Sequence, residues 1–108
     1  MLILFDQGTP VPLRSSLLGH TVRTAAQQGW STLSNGDLLR AAEAEGFDLL
    51  LTTDKNLVFQ QSLKSRHIGV VVIGNAQWPV AQRHIQLIVE AVNTATPGCY
   101  AVVKIPSL

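Results

Sequence analysis

The sequence has 108 residues, 46% of them apolar and 14% charged, and a formal net charge of +1. One ordinary domain spanning 1–108 is expected, and a charged fraction well below the usual ~25% argues against disorder, because apolar surface is plentiful and self-repulsion slight. The near-neutral balance argues against a broad basic face for duplex DNA.

Leu2–Phe5 is a continuous apolar run that stops at the turn-forming stretch Asp6-Gln7-Gly8-Thr9-Pro10, as expected of a buried central strand. Pro12–Leu18 predicts a short helix ending near Gly19. His20–Ala25 predicts a second strand, with Val22 between polar neighbours and with Thr21 and Thr24 suited to a pleated surface. Ser34 or Asn35 is placed to cap a helix that runs to Glu45. Asp37 complements the positive end of its dipole, and Gly46 ends it. Leu49–Thr52 is a third strand, short and apolar. A helix follows from Lys55 to about Leu63. Ile68–Ile73 is the most β-branched run and a fourth strand. Pro79 suits the first turn of a helix in which Val80, His84, Leu87, Ile88, Ala91 and Val92 recur at helical spacing through about Ala95. Tyr100–Ile105 is the last strand, stopped by Pro106. Strands alternating with helices predict an α/β fold. The expected form is a three-layer α/β/α sandwich on a mostly parallel sheet; with the first strand central and flanked by the second and third, the order is 2-1-3-4, with the fifth strand at an edge and its direction open.

No apolar run approaches the roughly 18 residues of a membrane span, and no basic segment precedes the first apolar residues as in a secretion signal. A single cysteine, Cys99, excludes an intrachain disulfide and a cysteine-based zinc site. The chain is therefore read as a reduced, cytoplasmic protein with no membrane partner.

Open parallel sheets place their sites beyond the carboxyl ends of the strands, where the strand order reverses. That rule selects Asp6 after the first strand, Asp54 after the third, and Asp37 at the start of the helix leading into the third. Three of the seven acidic residues are thus expected to converge on one edge. Two carboxylates ~4 Å apart repel by roughly 4 kcal/mol at an effective dielectric of 20, so either one holds a proton or a cation neutralises them. Oxygen-only ligands suit Mg²⁺ or Mn²⁺, and a few carboxylates completed by water or a substrate phosphate form a familiar phosphodiester-cleaving arrangement.

Each acid also has a local reading. Asp6 closes an Asx-turn before Gly8, Asp37 is a helix-dipole acid, and Asp54 caps the Lys55–Leu63 helix. Lys55 is a candidate phosphate contact and Asn56 a neutral oxygen ligand for metal or substrate; both also fit an ordinary helix start. Asp48 falls at the opposite edge and is expected to be exposed and silent. Glu43, Glu45 and Glu90 read as solvated helix positions, and Arg66 and His67 as structural. His20 and His84 lack a partner at metal-ligand spacing. Trp30 and Trp78 read as hydrophobic anchors ahead of base-stacking platforms, and Cys99 as inert.

Four segments carry a resemblance: Leu2-Ile3-Leu4-Phe5-Asp6-Gln7, Leu18-Gly19-His20-Thr21-Val22, Asn35-Gly36-Asp37-Leu38-Leu39-Arg40-Ala41-Ala42, and Leu50-Leu51-Thr52-Thr53-Asp54-Lys55-Asn56-Leu57. Together they resemble the small PIN-like domains of the DUF5615, Mut7-C-related group, over roughly the first two-thirds of the chain. The strand Ile68–Ile73 fits as well. The resemblance implies a metal-dependent ribonuclease fold with Asp6, Asp37 and Asp54 as catalytic and metal-binding acids. It implies Mg²⁺ or Mn²⁺ as cofactor and single-stranded RNA as substrate. It also implies, for a toxin of a toxin–antitoxin pair, a cognate antitoxin protein as partner; a second copy of the chain is a further candidate. Gln7 and Asn56 stand where related sequences often have acids. That departure supports the alternative of a PIN-like binding module without catalysis, acting through a protein partner. A phosphoacceptor domain similar to response regulators ranks lower, because Asp6-Gln7 is not an acidic pair and Lys104 lies within the last strand.

Overall fold

Leu2–Phe5 offers no polar face to water, so the strand it forms must be covered on both sides. In the structure, a computed structural model describing residues 1–55 and 66–106, that run is β1 and lies inside a sheet with neighbours on either hand. The strands are β1 (Leu2–Phe5), β2 (Thr21–Thr24), β3 (Leu49–Thr52), β4 (Gly69–Ile73) and β5 (Tyr100–Val103). Their order is β2-β1-β3-β4-β5 and every pairing is parallel, which settles the direction of the fifth strand. Ile3 stands opposite Val22 on one side and Leu49 on the other. All of β3 and β4 is buried, whereas β2 alternates exposed and half-buried residues as an edge strand does.

Alternation along the strands divides the core in two. Ile3, Phe5, Leu49, Leu51, Val71 and Ile73 face one way; Leu4, Leu50, Val70 and Val72 face the other. The first face is covered by a 3-10 helix (Val11–Ser16) through Leu13, and by α2 (Trp78–Gln82) and α3 (Ile85–Thr94) through Ala81, Ile88 and Val92. The second is covered by α1 (Asn35–Ala44) through Leu38, Leu39 and Ala42. Helices on both faces of a parallel sheet are the α/β architecture that the sequence predicts.

Two elements differ from expectation. The helix expected from Pro79 to Ala95 is broken at Arg83–His84, where His84 takes φ −122° and ψ 27°. Ala81, Ile88 and Val92 keep the spacing of one continuous helix, so the apolar pattern carries no sign of the break. The segment Pro12–Leu18 forms a 3-10 helix over Val11–Ser16, with a proline in its first turn. The helix expected over Lys55–Leu63 lies outside the described residues beyond Lys55, which stands in a turn.

The connections have an uncommon feature. Both β2→β3 and β4→β5 step in the same direction across the sheet, yet α1 lies on one face and α2–α3 on the other. The two crossovers therefore have opposite hands. The β1→β2 step runs the other way on the face opposite α1, so it shares the hand of β2→β3, and the rule of right-handed crossovers marks β4→β5 as the exception among these three described connections. Among the described residues no helix is long and apolar enough to cross a membrane.

Candidate functional site

The chain leaves β1 towards β2 and leaves β3 towards β4, so the strand order reverses between β1 and β3. This is the place where open parallel sheets bind ligands. Asp6 follows β1 there, and Thr53 and Asp54 follow β3.

The two turns are laced together. The Asp6 and Thr9 side of the lace reaches across to β3: the Asp6 backbone N–H donates to the Leu51 carbonyl at 3.0 Å, and the buried Thr9 hydroxyl donates to the same oxygen at 2.9 Å. The Thr52 hydroxyl donates to Asp6 Oδ2 at 2.8 Å and accepts the Asp54 backbone N–H at 3.1 Å. Asp6 Oδ1 accepts the Gln7 backbone N–H at 2.7 Å, so the local Asx contact forms with the next residue. Thr9 N–H closes the turn onto the Asp6 carbonyl at 3.1 Å. Gly8 takes φ +87° in that turn, and a Cβ there would stand 3.2 Å from Thr53 Oγ1. Only glycine meets both demands without strain. Asp6 and Asp54 are half-buried, and Lys55 is exposed beside them.

Asp37 is arranged differently. α1 begins at the same sheet edge, because it leads from the carboxyl end of β2 to the amino end of β3. Ser34 caps α1, its Oγ accepting the Asp37 backbone N–H and donating to Asp37 Oδ2. The other oxygen, Asp37 Oδ1, is taken by the Arg40 guanidinium one turn along. The hydrogen bond from Arg40, then that from Ser34, then the Arg40 charge hold the Asp37 carboxyl below the usual aspartate range. Its side chain is 55% exposed. The structure thus links the Asp6 carboxylate to the Asp54 backbone through Thr52 and gives Asp37 local partners. Among the described residues no group of three or more His, Cys, Asp or Glu side chains is arranged to hold a metal ion. Asn56 lies outside the described residues.

At the amino edge one expectation is corrected. Glu43 is not an ordinary solvated position: Oε1 accepts from Arg66 Nη1 at 3.0 Å and Oε2 from the His67 backbone N–H at 2.9 Å. Asp48 is exposed as expected, and its Oδ2 accepts the Leu2 backbone N–H at 2.8 Å. Trp78 and Cys99 pack against the core. Trp30 meets Phe47 edge-on at 6.0 Å between centroids, and His20 Nε2 lies 2.8 Å from Asn93 Oδ1.

A cleft of about 150 Å³ opens beside Asp6, walled by Phe5, Gly8, Val11, Thr24 and Ala25. Another of about 230 Å³ lies at the opposite edge, around Asp48, His67 and Pro97. Both fall below the roughly 300–1,000 Å³ that encloses a small-molecule ligand. A substrate laid along the carboxyl edge suits the first better than one engulfed by it.

Sequence reasoning gave no role to the hydroxyls of Thr52 and Thr9, naming them only within the third strand, the Leu50–Leu57 segment and the Asp6–Pro10 turn. A signal existed for Thr52: it is the one polar residue in a strand of four whose positions are all buried, so its hydroxyl has to find partners inside. Comparison of the chain with family models, with curated proteins and with solved structures returns no match.

Proposed function

We propose that the chain is a Mg²⁺- or Mn²⁺-dependent ribonuclease acting on single-stranded RNA, its cation held by Asp6 and Asp54. The observation that carries this reading is the Thr52 hydroxyl joining the Asp6 carboxylate to the Asp54 backbone where the strand order reverses. The donor set suits the ion: Mg²⁺ retains several waters and is held by one or two carboxylates plus substrate phosphates. Asp6 Oδ1 and Oδ2 each accept one hydrogen bond in the structure and keep further acceptor capacity. The resemblance to small PIN-like domains of the DUF5615 group points the same way.

When bound, the cation supplies charge neutralisation at the phosphoryl group being cleaved. Asp6 and Asp54 hold it against the sheet edge, and Lys55 meets a neighbouring phosphate from the exposed side. The Asp6 carboxylate and the Asp54 backbone are held before substrate arrives, which suits a site that works by positioning and electrostatics. In the toxin reading, a small partner protein silences this edge by placing a basic side chain over Asp6 and Asp54.

One observation favours a second reading. Asp37 is already neutralised by Arg40, and Gln7 adds no charge, so the edge has fewer acids than a two-cation site needs. Under that reading the chain binds a partner through the same surface and cleaves nothing. The deciding experiment incubates the protein and 5′-labelled single-stranded RNA with millimolar Mn²⁺. Internal cleavage that disappears in folded Asp6→Asn and Asp54→Asn supports the ribonuclease. Intact RNA with every metal tried leaves the binding module.

A further inference from the structure

We infer that Thr52 is a positioning residue for this site: its buried hydroxyl fixes the rotamer of Asp6 and ties it to the turn that carries Asp54. The inference rests on the cation-site reading for its functional meaning, but its geometry stands apart from it.

Thr52 has no exposed surface. A hydroxyl has one proton to give, and here it goes to Asp6 Oδ2 at 2.8 Å. The oxygen then accepts from the Asp54 backbone N–H at 3.1 Å. Both contacts run from one atom, so the direction of the first bond fixes what the second can do. Burial keeps water from standing in for either partner, and a buried hydroxyl that lost them would carry the desolvation cost alone. Asp6 is only half-buried, and its other oxygen is held by the adjacent residue's N–H. The Thr52 bond is thus the link from the Asp6 carboxylate to a different strand. Residues that hold a metal ligand from behind typically change metal affinity 10–100-fold when removed.

The buried Thr9 hydroxyl provides the contrast. It donates to the Leu51 carbonyl at 2.9 Å and braces the same two turns, but it makes no bond to the Asp6 carboxylate. A purely structural role predicts that Thr52 and Thr9 behave alike. A positioning role predicts that they part.

The experiment compares Thr52→Val, which keeps the shape and removes the hydroxyl, with Thr52→Ser, which restores it, and with Thr9→Val. Mn²⁺ affinity is measured by calorimetry, and the Asp6 side-chain rotamer by NMR scalar couplings. Thr52→Val is expected to weaken Mn²⁺ binding by at least about tenfold and to release Asp6 into several rotamers. Thr52→Ser is expected to return both close to wild type. Thr9→Val is expected to lower the melting temperature with both readouts unchanged. The inference is overturned if Thr52→Val leaves Asp6 in one rotamer, or if Thr9→Val mobilises Asp6 equally. Should Thr52→Val fail to fold, Thr52→Ala and Thr52→Ser supply the same comparison. Wild-type protein that binds no Mn²⁺ refutes the cation reading, while the rotamer measurement still decides the role of Thr52.

Discussion

Arg66 and Glu43 meet across 23 residues of chain, with Nη1 and Oε1 3.0 Å apart and both side chains largely covered, at 21% and 28% exposed. The second oxygen of Glu43 receives the His67 backbone N–H at 2.9 Å. One carboxylate therefore clamps α1 to the segment that enters β4. Because the pair is mostly shielded from water, it contributes more than an open surface ion pair, whose worth is ~0–1 kcal/mol.

Glu43→Ala is accordingly expected to lower stability by about 2 kcal/mol, the scale of hydrogen bonds to a charged group. Glu43→Gln keeps one acceptor oxygen and is expected to lose less. Urea unfolding of the two variants checks the order. Equal stability of Glu43→Ala and wild type would show that the clamp has no energetic role.

Asp48 makes a similar contact with a single donor. Its Oδ2 takes the backbone N–H of Leu2, at the entry to the central strand. Exposure discounts the bond, so Asp48→Ala is expected to lose about 1 kcal/mol. Asp48→Asn keeps an acceptor oxygen and is expected to stay near wild type. Thermal melts of the three proteins test this.

Which strands are central was legible from two facts: β1, β3 and β4 are apolar on both faces, and β2 alternates. Residues buried on both sides belong at the centre and alternating ones at an edge; the order among the central strands came with the PIN-like resemblance. The placement of Asp6 and Asp54 followed from that order alone. What stayed hidden were contacts decided by side-chain reach. Nothing in the spacing of Glu43 and Arg66 announces a bond across 23 residues. Arg40, three residues after Asp37, could have been seen as its partner from helix spacing. The break before Ile85 leaves the apolar period intact, so only backbone angles reveal it.

The Asp37 pair makes a pH prediction. Its carboxyl titrates lower in the folded chain than in the unfolded one, chiefly through the Arg40 hydrogen bond. A group depressed on folding adds stability above its unfolded value, near pH ~4, and that contribution fades as pH falls through the lower folded value. Arg40→Gln is expected to move the Asp37 titration upward, read from its carboxyl carbon by NMR. Stability near neutral pH should fall slightly, and the gap from wild type should close in acid. A gap that widens in acid would contradict the sign.

Gly69 tests the packing between β4 and the entry to β5. A Cβ there would lie 2.8 Å from Cys99 Sγ and 2.9 Å from the Thr96 carbonyl oxygen. The sulfur can shift, but the backbone oxygen has little room. Gly69→Ala is expected to cost roughly 1–3 kcal/mol as overpacking. Adding Cys99→Ala should recover only part, because the Thr96 carbonyl remains. Full recovery in the double variant would place the whole conflict at the sulfur.

The last prediction separates the charge of Asp6 from its hydrogen bonds. Asp6 accepts from Gln7 N–H on one oxygen and from Thr52 Oγ on the other. Asparagine has one acceptor oxygen, so its NH₂ must face one of those donors. Asp6→Asn is therefore expected to lower metal-free stability by about 1 kcal/mol, even though it removes a negative charge from the edge. Each protein must then be compared with its own metal-free baseline. In wild type, Mn²⁺ at ten times its dissociation constant should add about 1.4 kcal/mol, which for a domain of ~100 residues is several degrees in Tm. Sodium chloride at matched ionic strength should not reproduce that rise. Asp6→Asn and Asp54→Asn should lose it. Asp37→Asn should keep it, because Arg40 and Ser34 already occupy that carboxylate. A Mn²⁺ response lost in Asp37→Asn would draw Asp37 into the site, with Arg40 giving way. A response retained in both Asp6→Asn and Asp54→Asn would move the cation away from the β1–β3 edge altogether.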